Sequence, residues 1–394
     1  MGVLWLVVVV VAVGVVARIG GGDDPTADLE VDPTPAVADE EEPAPLPTAP
    51  APGPATTAVG SWVPLGVSPL AARTRPSATW TGEEVLVYGG QPDLGPVGAR
   101  FDPVSRTWSP MATSPLGHRV AHTATWTGTE LVVFEGTPVG LEAARAAQDV
   151  DGAVYDPATD TWRPLRDAPL NPRSGHVAVW TGEQVFVYGG SRTFETEAPA
   201  ALYDPAADTW TLTSPAPLER AFGLLAAVWT GEEVVVWSGT GPTDVAAYDP
   251  STDTWRLLPG SPVGMRSAQA VWTGSEMLLL GRPDAVEVGG LALDVAEGRW
   301  TVLPPSPQGY AATHAVVWTG DRAVVLGGPA EVPGAVWDPA TARWSALPPA
   351  PLQAVSGHAA AWTGEEIWLW SGQGPAGPVA EGATFRAGWS TARG

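Results

Sequence analysis

One phrase recurs seven times along this chain: a short run ending in Trp-Thr-Gly, one or two polar residues, then a second run rich in Val and Leu. VWTGEQVFVYGG at 179–190 is its clearest copy, and the repeated Trp falls at Trp80, Trp126, Trp180, Trp229, Trp272, Trp318 and Trp362. The intervals are 46, 54, 49, 43, 46 and 44 residues. A motif that does chemistry is used once, whereas a phrase used seven times is architecture. A repeat of this length built from short strands is the signature of a β-propeller blade.

Each unit divides in the same way. The run before Trp alternates and reads as the inner strand. Thr-Gly-acid is a tight hairpin turn in which Gly supplies the positive φ. The apolar run that follows reads as a second strand buried on both faces. After a loop of variable length comes an aromatic-Asp-Pro phrase: FDPVSRTW at 101–108, YDPATDTW at 155–162, YDPAADTW at 203–210, YDPSTDTW at 248–255 and WDPATARW at 337–344. LDVAEGRW at 293–300 is a weaker copy. The first residue and the closing Trp stand seven apart every time, so this is a fixed hairpin whose Trp begins the outer strand.

Six such phrases serve seven inner pairs. The missing outer strand is expected from the start of the repeat region, where SWVPLGVSPL at 61–70 matches TWSPMATSPL at 107–116 and TWRPLRDAPL at 161–170. Trp62–Leu65 should therefore form the outermost strand of the blade built from 357–386.

The paired glycines Gly89-Gly90, Gly189-Gly190 and Gly327-Gly328, the Tyr of YDP and the Trp seven residues later resemble the kelch-repeat β-propeller family. The likeness extends over residues 60–394. It implies an all-β, seven-bladed β-propeller of four-stranded antiparallel blades, its ring closed by an N-terminal strand. The copies Glu135-Gly136, Ser238-Gly239 and Ser371-Gly372 replace the first Gly, and Gly281-Arg282 the second, so those blades should be locally irregular.

Four of the five His lie four residues before the repeated Trp: His122, His176, His314 and His358. Arg73, Arg119 and Arg173 lie seven before it, with Arg220 and Arg266 near the same place. They resemble the kelch Arg-x-x-His feature, which implies a position around one mouth of the central channel. Two readings stand. With Glu135 they line a funnel for an anion or a sugar, or each Arg and His bonds its own blade and the neighbouring backbone. Asymmetry lies in the loops, the longest being 137–153 after Glu135 and 191–200. Asp149-Val-Asp151 holds two acids, too few for a cation site, and neither a metal nor a cofactor is expected.

Residues 2–17, GVLWLVVVVVAVGVVA, carry no charge. As a helix they would span roughly 24 Å of a hydrocarbon core about 30 Å thick. Residues 1–18 are read as a membrane anchor with the rest outside the cytoplasm, or as a signal segment cleaved near Ala17. Residues 19–59 hold nine Pro and nine acids and read as a disordered linker with a reach on the order of 100 Å. Residues 60–394 then form the propeller.

The formal net charge of −23 sets nucleic-acid binding aside, because so acidic a surface repels phosphate. The absence of Cys removes disulfides, thiolate zinc sites, Cys nucleophiles and the Tyr-Cys cofactor of galactose oxidase, a kelch-fold enzyme. The absence of Lys removes Schiff-base chemistry. No HExxH, phosphate loop or Ser-His-Asp signature is present. The expectation is an extracytoplasmic, monomeric binding module taking a protein or a cell-surface glycan on its loop face at the channel mouth. The alternative is a carbohydrate-active enzyme, an isomerase like sialic-acid epimerase or a glycoside hydrolase, using Arg, His and Glu there. Deleting residues 60–66 removes the outer strand and its Trp, whose full burial would contribute up to about 4–6 kcal/mol by area before the entropy cost, so it should lower the thermal midpoint steeply. An unchanged melt in differential scanning fluorimetry refutes the clasp.

Overall fold

The computed structural model describes residues 56–92, 95–140, 151–190, 199–218, 225–239, 244–285, 287–307, 314–327, 333–352 and 356–388. Contacts divide the chain into Met1–Pro45 and Leu46–Gly394, and every described residue belongs to the second unit. The apolar segment 2–17, the linker up to residue 55, Arg220, Asp149 and most of both long loops lie outside the described residues. Among those described, all regular structure is β, and no helix is long and apolar enough to cross a membrane.

Seven antiparallel blades form the ring. Blade 1 is Ser77–Trp80, Val85–Tyr88, Gly98–Asp102 and Thr107–Pro110; blade 2 is Thr123–Trp126, Leu131–Phe134, Gly152–Asp156 and Thr161–Pro164. Blade 3 is Val177–Trp180, Val185–Tyr188, Ala201–Asp204 and Thr209–Leu212; blade 4 is Ala226–Trp229, Val234–Trp237, Val245–Asp249 and Thr254–Leu257. Blade 5 is Met265–Trp272, Glu276–Pro283, Gly290–Asp294 and Arg299–Leu303; blade 6 is Ala315–Trp318, Ala323–Leu326, Gly334–Asp338 and Arg343–Ala346. Blade 7 is Ala359–Trp362, Glu366–Gly374 and Gly377–Ala387, with Gly60–Pro64 as its outermost strand. There Trp62 pairs with Phe385, the rings 5.0 Å apart. Thr56–Thr57 adds a short parallel strand to the rim of blade 6. The innermost strands neighbour one another in chain order, and that of blade 7 lies beside that of blade 1.

Local chemistry makes each hairpin. In blade 1 the Thr81 N–H donates to the Glu84 carbonyl at 3.0 Å, and its hydroxyl oxygen accepts from the Glu84 N–H at 3.0 Å. Gly82 between them sits at φ +101°, a conformation that costs a side-chain-bearing residue strain. Packing then follows from two-sided burial. The second strand, such as Val85–Tyr88, is buried at every residue because a neighbouring blade covers each face. The apolar core is accordingly divided into seven clusters, each filling the wedge between two adjacent blades.

A polar clip joins the blades near the rim. The outer-strand Trp donates its indole N–H to the carbonyl four residues past the outer Trp of the preceding blade. Trp162, Trp210, Trp255, Trp300, Trp344 and Trp62 reach Ala112, Arg166, Ser214, Pro259, Pro304 and Pro348 at 2.8–3.0 Å. Where that neighbour has an N–H, the residue two before the Trp is an Asp that accepts from it: Asp160 from Ala112, Asp208 from Arg166, Asp253 from Ser214. The Tyr of YDP donates to the same carboxylate at 2.6–2.8 Å. Where the neighbour is a Pro, with no N–H to offer, the Asp gives way to Gly298, Ala342 or Gly60.

The altered Gly-Gly copies are accommodated in different ways. Register shifts appear in blade 5 between Arg266 and Gln269 and in blade 7 between Trp370 and Gly372. In blade 2 the ladder is regular, and Glu135 itself takes the left-handed conformation at φ +49°. Blade 4 pairs without a shift at Ser238. Trp255→Phe keeps a ring in the wedge and deletes the clip to Ser214, so it should destabilise by about 1–2 kcal/mol, against about 3–5 for Trp255→Ala. Denaturant unfolding monitored by circular dichroism measures both, and a neutral Phe variant means the clip holds nothing.

Candidate functional site

The repeated Arg side chains are buried and occupied. Arg73 donates to the carbonyls of Ala71, Gly89, Pro96 and Val97 at 3.0–3.2 Å. Its burial draws its pKa down to about 10, which leaves it cationic at neutral pH. Arg119 donates to the carbonyls of Leu116 and Glu135, both at 2.8 Å. Arg173 donates to those of Asn171 and Gly189 at 3.0 and 2.9 Å. In each case one acceptor lies sixteen residues on, at the first position of the Gly-Gly copy in the same blade. That residue is left-handed, at φ +71° for Gly89, +49° for Glu135 and +69° for Gly189. The turn carries its carbonyl out of the ladder, and a buried carbonyl needs a donor. The guanidinium supplies it.

Blade 5 departs from this pattern, with Met265 seven before its Trp. Arg266 is exposed there and pairs with Asp284 at 3.0 Å.

Three imidazoles link neighbouring blades. His122 Nε2 lies 3.0 Å from Ser77 Oγ of blade 1, and its ring stands edge-on to Tyr88. His176 Nε2 lies 2.9 Å from Thr123 Oγ1 of blade 2, edge-on to Phe134. His314 Nε2 lies 3.1 Å from the Leu280 carbonyl of blade 5. His358 instead meets its own blade, with Nδ1 3.0 Å from the Ser371 carbonyl. Burial, reinforced by the Arg119 cation, pushes the pKa of His122 down to about 3. Burial, with Arg173 and then His122 adding to it, does the same to His176. His358 is lowered by burial as well. The rings of His122 and His176 are therefore neutral at working pH and serve as fixed hydrogen-bonding posts.

Glu135 is buried, and its backbone carbonyl is the Arg119 acceptor. Arg119, His122 and Glu135 thus sit around one turn of blade 2, while the corresponding groups of other blades keep to their own junctions. One contributor carries no repeat signal in the sequence. The Gln269 carboxamide docks on the inner strand of blade 6, accepting from Val316 N–H at 3.0 Å and donating to the His314 carbonyl at 2.5 Å.

The opposite end of the ring, where the Thr-Gly-acid turns lie, is laced with ion pairs. Arg100–Glu84, Arg163–Glu130 and Arg256–Glu233 are 2.8, 3.0 and 2.6 Å apart. Grooves of about 1010 and 760 Å³ open there between blades 7 and 1 and between blades 3 and 4, lined by Glu83, Asp102 and Arg386 in the first and by Glu183 and Glu232 in the second. Among the described residues, no group of three His, Asp or Glu side chains could hold a metal ion.

Fold and site together define a seven-bladed, all-β propeller whose recurrent polar side chains are engaged within and between blades. No protein-family model matches the chain, and no curated protein matches it.

The low imidazole values set a pH dependence. For His122 and His176 the folded pKa lies below the unfolded value near 6.5, so the unfolded chain binds more protons in between. Their contribution to stability is complete above about pH 6.5 and is lost as pH falls toward about 3. Thermal midpoints measured between pH 7 and pH 4 should fall for the parent chain and fall less for His122→Gln. Identical slopes contradict the assignment.

Proposed function

We propose that residues 60–394 are a kelch-like binding head, without catalytic activity, that takes a protein or a cell-surface glycan on the loop face at the channel mouth. One observation carries this reading. The guanidinium groups that a catalytic funnel would turn on a substrate end on backbone carbonyls of their own blades, at 2.8–3.2 Å. A propeller is a rigid frame, and loops of unequal length on a rigid frame are where specificity is usually placed. The loops within 137–153 and 191–200 provide that inequality. The carbohydrate-active alternative draws no support from neutral imidazoles dispersed over separate junctions.

The proposal extends to the rest of the chain. Residues 2–17 anchor the protein in a membrane, or are removed near Ala17 on secretion, and 19–59 hold a monomeric head away from the surface. Gly60–Pro64 acts as the clasp that closes the ring, a role supported by its pairing with Gly377–Ala387.

The test is a screen of the full-length chain against glycans, cell-wall fragments and secreted proteins. Replacing 141–150 or 191–198 with Gly-Ser of equal length should abolish binding of the ligand found and leave the thermal midpoint unchanged. Conversion of a screened saccharide, followed by NMR, overturns the reading in favour of an enzyme, and binding that survives both replacements overturns the choice of face.

A further inference from the structure

Six blade junctions carry the Trp-to-carbonyl clip, and the seventh does not. Between blades 7 and 1 the carbonyl in the corresponding place belongs to Gly66, four residues past Trp62, yet Trp108 Nε1 is buried without an acceptor. The Tyr–Asp pair that accompanies the clip in blades 2–4 is here Phe101 and Arg106. Arg106 can only donate. It reaches the carbonyls of Val63 and Pro64, Thr384 Oγ1 and the Glu366 carboxylate, all at 3.3–3.5 Å. Those lengths lie beyond the usual range for N–H donors.

The same junction holds two more unsatisfied donors. Trp368 and Trp370 are fully buried, each with its ring 5.7 Å from that of Trp108, and their Nε1 atoms also lack acceptors. Among the described residues these three are the only buried indole nitrogens in that condition. A buried donor without a partner raises the free energy of the closed junction but not of an open one, where water accepts the bond. The tilted ring contacts offset part of this. Chain connectivity adds a second difference. Gly60–Pro64 runs on into blade 1, whereas the other three strands of blade 7 belong to the C-terminal end, so these parts meet without a covalent link.

We infer that the ring is built with one opening junction, between blades 7 and 1, where the cluster of Trp108, Trp368 and Trp370 parts transiently while the other six junctions stay shut. Arg106 is its tie.

Hydroxyl-radical footprinting of the full-length chain under native conditions, read by peptide mass spectrometry, tests this. Trp237 is the control, because it is as buried as Trp368 and Trp370 but donates to Ser261 Oγ at 3.1 Å. Trp368 and Trp370 should oxidise about tenfold faster than Trp237, and equal protection of the three overturns the inference. Arg106→Met should raise oxidation at Trp108, Trp368 and Trp370 about threefold and leave Trp237 and Trp255 unchanged. A uniform rise, or no rise, also overturns it. Should that variant fail to fold, the comparison within the parent chain decides alone.

Discussion

A sheet that is apolar on both faces must be covered on both faces, and the rest of this molecule follows from that requirement. VLVY, VFVY, VVVW and their relatives are too apolar for either side to meet water. Stacking the sheets in a line would leave two bare ends, and bending the stack into a ring leaves none. The wedge between twisted neighbours widens toward the rim, where a broad flat ring fills it. Hence the outer-strand Trp lies against the aromatic seven residues before it, as Tyr155–Trp162, Tyr203–Trp210 and Tyr248–Trp255 do at 4.9–5.0 Å.

Filling a wedge with Trp creates a polar obligation, because the indole N–H goes in with the ring. The carbonyl of the preceding blade meets it, and the chemistry around that residue is matched position by position. Ala112, Arg166 and Ser214 each have an N–H and face an Asp, while Pro259, Pro304 and Pro348 have none and face Gly or Ala. A carboxylate opposite a proline would be desolvated with nothing to accept, so the two substitutions belong together. The repeats are therefore interchangeable in shape but not in neighbour. Blades 1–4 and blades 4–7 use two versions of one joint, and the junction of blades 7 and 1 uses neither.

The repeated features were legible because repetition averages away local ambiguity. Seven Trp-Thr-Gly turns and a constant spacing of seven from aromatic to Trp define the hairpins without knowledge of any contact. The clip was not legible. Its partners lie 40–50 residues apart, except across the chain ends, where Trp62 and Pro348 are 286 apart. Only three-dimensional proximity reveals that a Pro four past one Trp excuses the Asp two before the next. The roles of Arg73, Arg119 and Arg173 were half legible: their spacing shows that they belong to the repeat, but not that a left-handed residue sixteen positions on releases the carbonyl they bind. Gln269 gave no signal, since one polar residue in an inner strand looks like any other. The loops of unequal length are visible in the sequence as insertions.

Symmetry itself bears on function. A group that recurs in blade after blade has a partner that recurs with it, which is why the buried guanidiniums and imidazoles are engaged by hydrogen bonds. Recognition of one ligand needs something that the ring does not repeat. Arg266 illustrates how the frame supplies it. In blade 5 Met265 stands seven before the repeated Trp, and the next residue, Arg266, is exposed and pairs with Asp284. That pair is exposed and worth little to stability. Departures from the repeat thus place an exposed guanidinium in a blade where Met265 takes the buried position that Arg73, Arg119 and Arg173 hold elsewhere.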